Sequence, residues 1–339
     1  MLEQTPTVSV IIPSYNHARF LDKRISTVLN QTFQDFEIIY LDDASTDDSN
    51  LVFAKFAGDP RIRSILNKTN IGNPFKQWNK GIREARGKYI WVAESDDYAD
   101  ETLLETLVNA LEKYPTSGIA YCQSWEVDEN DQILSNYQWL TDEHDSERWK
   151  HDFVNNGVDE CSQYMVLRNT IPNASAVVFR KSIYEAIGGA PETMKLCGDW
   201  LFWCKMALES DVAFVSEPLN FFRKASSKGA RGIAGREGLF IEEKFQVIQC
   251  ISHASRLSEK TLLKTLHRQT YFWMEYTLTK GIPLTRQQSI YRIARGLDRK
   301  IDFTLANQMI TVGIKLTLRA FGITHYIKRL MYRRQTAQI

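Results

Sequence analysis

From Val8 to Trp125, short apolar runs rich in β-branched residues alternate with segments whose apolar residues recur at helical spacing. Few folds accept that alternation. Val8-Ser9-Val10-Ile11-Ile12 stops at Pro13, and residues 36–41, 62–66, 89–93 and 119–125 read as further strands. Between them, residues 19–29, 51–56, 74–85 and 102–113 carry the helical period, as in Phe20, Leu21, Ile25, Val28 and Leu29. Strands without a polar face are buried on both sides, so the pattern predicts a mainly parallel, Rossmann-like α/β sheet flanked by helices. Residues 135–169 are charged and irregular, an insertion or a loop-rich segment. A strand at 176–179 and a helix at 181–187 follow, the helix stopped by Gly188-Gly189. Glycines cluster from Gly229 to Gly238, and the rest of the chain is helical and increasingly basic. The expected division is an α/β domain over 1–230 and a helical, basic C-terminal region over 231–339.

Sheets of this kind bind ligands at the carboxyl ends of their strands. The polar clusters fall there: Pro13-Ser14-Tyr15-Asn16, Asp42-Asp43 and Glu94-Ser95-Asp96-Asp97. Three carboxylates in four residues repel unless a cation intervenes. Mg²⁺ and Mn²⁺ take one or two protein carboxylates beside phosphate oxygens and water, which suits such a turn. The plainer alternative is that Asp97 or Asp100 caps the helix that follows. Asp47 and Asp48 read as N-caps, whereas Asp42 and Asp43 end a buried strand, where an acid needs a partner such as a base N–H or a ribose hydroxyl. Neither GxGxxG nor GxxxxGK[ST] follows the first strand, which disfavours a dinucleotide fold or a P-loop. A nucleotide held by side chains, an aromatic ring and a metal remains.

The formal net charge of +1 gives no steering toward nucleic acid. The five cysteines are scattered without a CxxC pair, as reduced core thiols would be. No basic and apolar leader is visible at the N-terminus, and no window of about 20 residues is free of charge. The expected location is cytoplasmic, with possible contact at the inner face of the membrane. That contact would run through residues 311–339, which hold Lys315, Arg319, Lys328, Arg329, Arg333 and Arg334 and no acid. Packing on the catalytic domain is the alternative.

Residues 8–16, Leu29-Asn30-Gln31-Thr32-Phe33 and the block from Phe36 to Asp47 resemble the opening of family 2 glycosyltransferases, inverting enzymes of the GT-A fold. Asn70-Ile71-Gly72, Asn79-Lys80-Gly81-Ile82 and residues 85–90 resemble the next block, and residues 94–97 stand where that family carries its acidic metal motif. The likeness runs from about Thr7 to Arg223. It implies a metal-dependent, hexosyltransferase-type enzyme using Mn²⁺ or Mg²⁺. The donor would be a nucleotide-sugar, a UDP-sugar by resemblance, and the acceptor a hydroxyl of a glycan or lipid-linked glycan in bacterial surface polysaccharide synthesis. Pro13 and Tyr15 would line the base pocket and Asp43 would bond the base. Asp96 would meet ribose or metal, and Asp97 would be the principal metal ligand. Glu94 replaces the family's usual aspartate, which puts in question which acid touches ribose.

Gly198-Asp199-Trp200 resembles the block that supplies the general base, with Asp199 as that base and Gly198 where glutamate is common. Asp199 also reads as a helix cap. After Arg223 the family often has a histidine where Ala225 stands, and Lys224, Lys228 or Arg231 would have to serve the phosphates. Asn173 and Trp200 are the acceptor-site candidates, although Trp78, Trp91, Trp200 and Trp203 also read as core residues. His17 reads as a surface-turn histidine. The rival from another class is a non-catalytic nucleotide-sugar-binding or scaffold subunit, whose mark would be loss of the acids at 97 or 199. A nucleotidyltransferase would need a glycine-rich, lysine-bearing first loop, which is absent.

Overall fold

The computed structural model describes residues 5–224, 238–255 and 257–320. The chain divides into two compact units, residues 1–227 with 253–256, and residues 228–252 with 257–339.

The first unit is built on a ten-stranded sheet. The strands are β1 (Val8–Ser14), β2 (Phe36–Asp42), β3 (Ile62–Leu66), β4 (Tyr89–Val92), β5 (Tyr98–Ala99), β6 (Ser117–Val127), β7 (Ile133–Asn136), β8 (Phe153–Asn155), β9 (Val177–Arg180) and β10 (Asp211–Arg223). Their order is β3-β2-β1-β4-β9-β6-β10-β5, with β7 on β6 and β8 on β10. β1 to β4 run parallel, and so do β6 and β10. β9 alone among the central strands is reversed, antiparallel to both β4 and β6. An apolar run reads the same in either direction, so periodicity does not reveal that reversal.

The helices sit where the period places them. On α1 (Ala18–Leu29), Leu21, Ile25 and Val28 are buried at steps of four and three. α2 (Ser49–Ala54) follows β2. α3 (Pro74–Glu84) begins with Pro74 at N1, and the Asn73 side chain accepts from the Lys76 N–H at 3.1 Å. At Gly81 this helix lies so close to the sheet that a Cβ would come 2.5 Å from Ile11 and 2.6 Å from Leu41. α4 (Leu103–Lys113) buries Leu103, Leu104, Leu107, Val108 and Leu111. The irregular segment holds β7, β8 and the short helices α5 (Trp139–Asp142) and α6 (Gly157–Glu160). α7 (Lys181–Ala186) follows β9, and α8 (Gly198–Leu208) leads into β10.

Pro13 stands inside β1 although it has no N–H to give. The β1–β2 ladder runs to Ser14, but β4 pairs with β1 only as far as Ile11. Ala93 N–H reaches Ile11 O, so the same side of Pro13 faces a place where β4 has already diverged. β1 and β4 therefore diverge at their carboxyl ends.

The second unit consists of helices Leu239–Ala254, Glu259–Lys280, Leu284–Leu297 and Ile301–Ala320. Phe245, Leu266, Trp273, Ile290, Ala294, Ile301 and Val312 form its core. Ser258 caps the second helix through Thr261 N–H at 3.1 Å, and Gly281, at φ 78°, ends it. No described helix is long and apolar enough to cross a membrane.

Candidate active site

Two acidic turns stand at the carboxyl ends of β2 and β4. After β2, Asp43 is buried and its carboxylate is heavily engaged. Oδ1 accepts from Asn67 Nδ2 (2.7 Å), Ile71 N (2.9 Å) and Gln77 Nε2 (2.7 Å), while Oδ2 accepts from Gly72 N (3.0 Å). Asn70 donates to the Asp43 carbonyl at 3.1 Å. The carboxylate thus pins residues 67–72 against the sheet. Asp42 accepts from Ser45 N at 2.9 Å. Asn16, at φ 56°, completes the clamp from β1: its Oδ1 accepts from Thr46 N at 2.7 Å. Tyr15, just before it, is 43% exposed.

The second turn follows β4. Asp97 is 2% exposed. Its Oδ2 accepts from Asn173 Nδ2 and Ser175 Oγ, both at 2.6 Å, and its Oδ1 from Arg223 N at 2.9 Å. Glu94 accepts from Trp78 Nε1 at 2.8 Å. Asp96 is half-buried, and its carboxylate accepts no hydrogen bond among the described residues. Burial, and then the charge of Asp96, push Glu94 up to about 8 and Asp97 to about 7.

Two arginines hold this turn from opposite sides. Arg24 Nε donates to Glu94 O at 2.8 Å, and Arg223 Nε donates to Asp96 O at 2.8 Å. Arg24 is fully buried, and both of its Nη atoms lack a hydrogen-bond partner. Burial lowers it to about 10 against the opposing pull of Asp97, Asp96 and Glu94. Its guanidinium also lies 5.5 Å from the Trp91 ring centroid. Sequence reasoning gives neither arginine a role. A signal does exist for Arg24, a cation three residues after Leu21 on the buried stripe of α1.

Asp199 lies in the first turn of α8, partly exposed, where the helix dipole favours a negative charge. It accepts from Asn169 Nδ2 at 3.3 Å. Asn169 and Asn173 therefore tether Asp199 and Asp97 to one short loop, whose four residue steps span at most about 14 Å. The glycine before Asp199 has a steric cause: a Cβ on Gly198 would meet Phe75 Cε2 at 2.3 Å, so the family's common glutamate has no room.

Asp97 is an inward anchor with three donors, and Asp96 is the carboxylate turned out of the hydrogen-bond network. Trp200 is 4% exposed, with its indole N–H on Met165 O at 2.9 Å. Asn173 is spent on Asp97 and on Asn220, whose Nδ2 it accepts at 2.9 Å, so it positions the acidic turn. His17 is no mere surface-turn residue, since its Nδ1 lies 2.7 Å from Ser95 Oγ within that turn. Pro13 is buried in β1, and Lys224 pairs with Glu126 at 2.9 Å. Ala225, Lys228 and Arg231 lie outside the described residues.

Residues 9–171 match the family described as "Glycosyl transferase family 2". That match takes in just under half of the chain's 339 residues. The chain is 37% identical over 107 residues to "Glycosyltransferase GlyG" of Streptococcus pneumoniae, covering 31% of this chain and 35% of that protein. It is 32% identical over 141 residues to an Escherichia coli "Chondroitin synthase", covering 41% of this chain and 20% of that protein. The matches thus span about a third and a fifth of these two relatives. Residues 1–349 of S. aureus TarS, solved in complex with UDP, superpose with a TM-score of 0.66 at 17% identity over 90% of each chain. That likeness concerns the fold, and the chain has the expected GT-A architecture with C-terminal helices.

Proposed function

We propose that this chain is a family 2, inverting, metal-dependent glycosyltransferase. It would move a sugar from a UDP-sugar to a hydroxyl of a glycan or lipid-linked glycan during bacterial surface polysaccharide synthesis. One observation carries the reading: at a strand end built for ligands, the turn leaves one carboxylate, Asp96, outside every hydrogen bond among the described residues. Its neighbours are held rigidly by Arg24, Arg223, Trp78 and Asn173.

That donor set suits Mn²⁺ or Mg²⁺, which takes one or two protein carboxylates and completes its shell with diphosphate and water. No ready cage of three His, Cys, Asp or Glu side chains exists among the described residues, so Asp96 is the proposed protein ligand and Asp97 its inner support. The ion when bound supplies charge neutralisation for the departing diphosphate. The half-exposed ring of Tyr15 stacks on the base, and Asp43 has room for one more donor, a base N–H, only on Oδ2. Asp199 accepts the proton of the acceptor hydroxyl as its oxygen attacks the anomeric carbon, and Asn169 orients that carboxylate. Support for uridine comes from the UDP of TarS and for a glycan acceptor from the name of the chondroitin synthase.

The test is nucleoside-diphosphate release from a panel of nucleotide-sugars with Mn²⁺ or Mg²⁺, with wild type beside Asp96→Asn and Asp199→Asn. The expected result is metal-dependent release from a UDP-sugar, reduced by the Asp96 change. Loss on Asp199→Asn should appear only when acceptor is present. An absence of nucleotide binding across the panel would overturn the proposal in favour of a scaffold subunit.

A further inference from the structure

Helix Ile301–Ala320 buries one face and exposes apolar side chains on the opposite one. Ile301, Gln308 and Val312 follow one another at steps of seven and four and are buried in the helical unit. Phe303, Ile310 and Ile314 repeat the same steps on the other side and are 76%, 62% and 57% exposed. At about 100° per residue those three lie within a stripe roughly 40° wide. Residues 303–314 contain no charged side chain. The hydroxyls near the stripe are turned inward: Thr311 Oγ1 donates to Asn307 O at 2.8 Å and Thr317 Oγ1 to Gly313 O at 2.9 Å. The outer surface of this helix therefore offers solvent aliphatic and aromatic carbon beside the exposed amide of Asn307, with part of its polarity consumed by its own backbone.

We infer that this face docks on an anionic lipid surface, the helix lying in the plane of the interface. Charge selects the occupant. Residues 311–339 carry Arg319, Lys328, Arg329, Arg333 and Arg334 and no acid, with Lys315 engaged by Tyr271, and Arg299 and Lys300 precede the helix between Asp298 and Asp302. An apolar stripe on a helix that leads into a cationic, acid-free sequence matches acyl chains beneath acidic headgroups. A second copy of the chain would bring the same run of cations and repel. The helix is not apolar enough to cross, so it lies on the surface. This docking does not depend on the sugar-transfer reading.

The experiment uses the full chain in co-sedimentation with phosphatidylcholine vesicles, with and without about one-third phosphatidylglycerol. Wild type is compared with a triple variant, Phe303→Ser, Ile310→Ser and Ile314→Ser, whose thermal midpoint is checked first. The expected result is salt-sensitive binding to the anionic vesicles that weakens at least about tenfold in the variant. Equal binding by both proteins would assign attachment to the basic tail alone and overturn the inference, as would an absence of binding by wild type. A wild-type dimer in light scattering that the variant converts to monomer would also overturn it, naming a second copy as the occupant. Nucleotide-sugar turnover with a soluble acceptor, measured alongside, tells failure of docking apart from failure of the transferase proposal.

Discussion

The turns after β2 and β4 begin alike, with acids at the end of a buried parallel strand, and they end as opposites. After β2, the charge of Asp43 is consumed by four donors, so that carboxylate is a structural pin with at most one lone pair to offer a ligand. After β4, three carboxylates are crowded together, two are held inward, and Asp96 is left outside the network with buried Arg24 beneath the turn. Acidic residues at a strand end therefore do not by themselves mark a metal site. What separates the two turns is whether the protein has already supplied the donors.

The largest difference between the turns should appear in activity. We expect Asp96→Asn to lower turnover at least about a hundredfold, because a lost metal ligand removes charge stabilisation developed in the transition state. The same variant should unfold within about 0.5 kcal/mol of wild type, since a half-exposed, unbonded carboxylate supports nothing. Chemical denaturation beside the diphosphate-release assay checks both halves. A strongly destabilised Asp96→Asn would erase the contrast.

Asp43→Asn should behave the other way round. The replacement swaps one oxygen for an NH₂ that meets the Gly72 or Ile71 N–H, and it removes charge from four hydrogen bonds. A loss of about 3 kcal/mol in unfolding free energy is expected, with residues 67–72 the first to gain hydrogen exchange. An unchanged denaturation midpoint would mean that Asp43 is held in reserve for ligand and is no pin.

Much of this is legible in the sequence, and the limits have physical causes. The strand over residues 62–66 can be bounded correctly because it lies between turn residues, and the acidic motif stands out because its residues adjoin. The direction of β9 is hidden because an apolar run has no polarity. The roles of Asp43 and Asp97 are hidden because their partners lie between 24 residues (Asn67) and 126 residues (Arg223) away, brought near only by the folded sheet. Gly198 shows as a departure from the family, but its cause, the ring of Phe75, is a tertiary contact. Arg24 is the avoidable omission, because a cation on an apolar stripe is visible in the order of residues alone.

Acidity should separate the turns further. In the metal-free protein Glu94 sits at about 8 and Asp97 at about 7, above the 4.5 and 3.8 of unperturbed side chains. The folded state then holds more protons than the unfolded chain between roughly pH 4 and 8, so stability is lost as pH rises through that window. A fall of about 5 °C in thermal midpoint from about pH 5 to about pH 8 is expected. Mn²⁺ should recover more of it at the higher pH, because the cation favours the ionised pair. A midpoint that rises over this range would mean that the turn is not a store of repelling charge.

The smallest effect belongs to the β2 turn. Ala44 adopts φ 62°, a left-handed conformation that costs a residue with a Cβ about 1 kcal/mol. It is held there because Asp43 on one side and Ser45 on the other are both fastened, Ser45 through its N–H to Asp42 and its Oγ to Asn16 N at 2.9 Å. Ala44→Gly relieves the clash but also loosens the unfolded chain, so the net gain should be a few tenths of a kcal/mol, about 1 °C in midpoint. Activity should not change, because a turn that is already pinned keeps its shape whichever residue occupies position 44. A glycine variant that is less stable than wild type would show that the pins around Asp43 are weaker than their distances indicate. The strand-end contrast would then rest on the β4 turn alone.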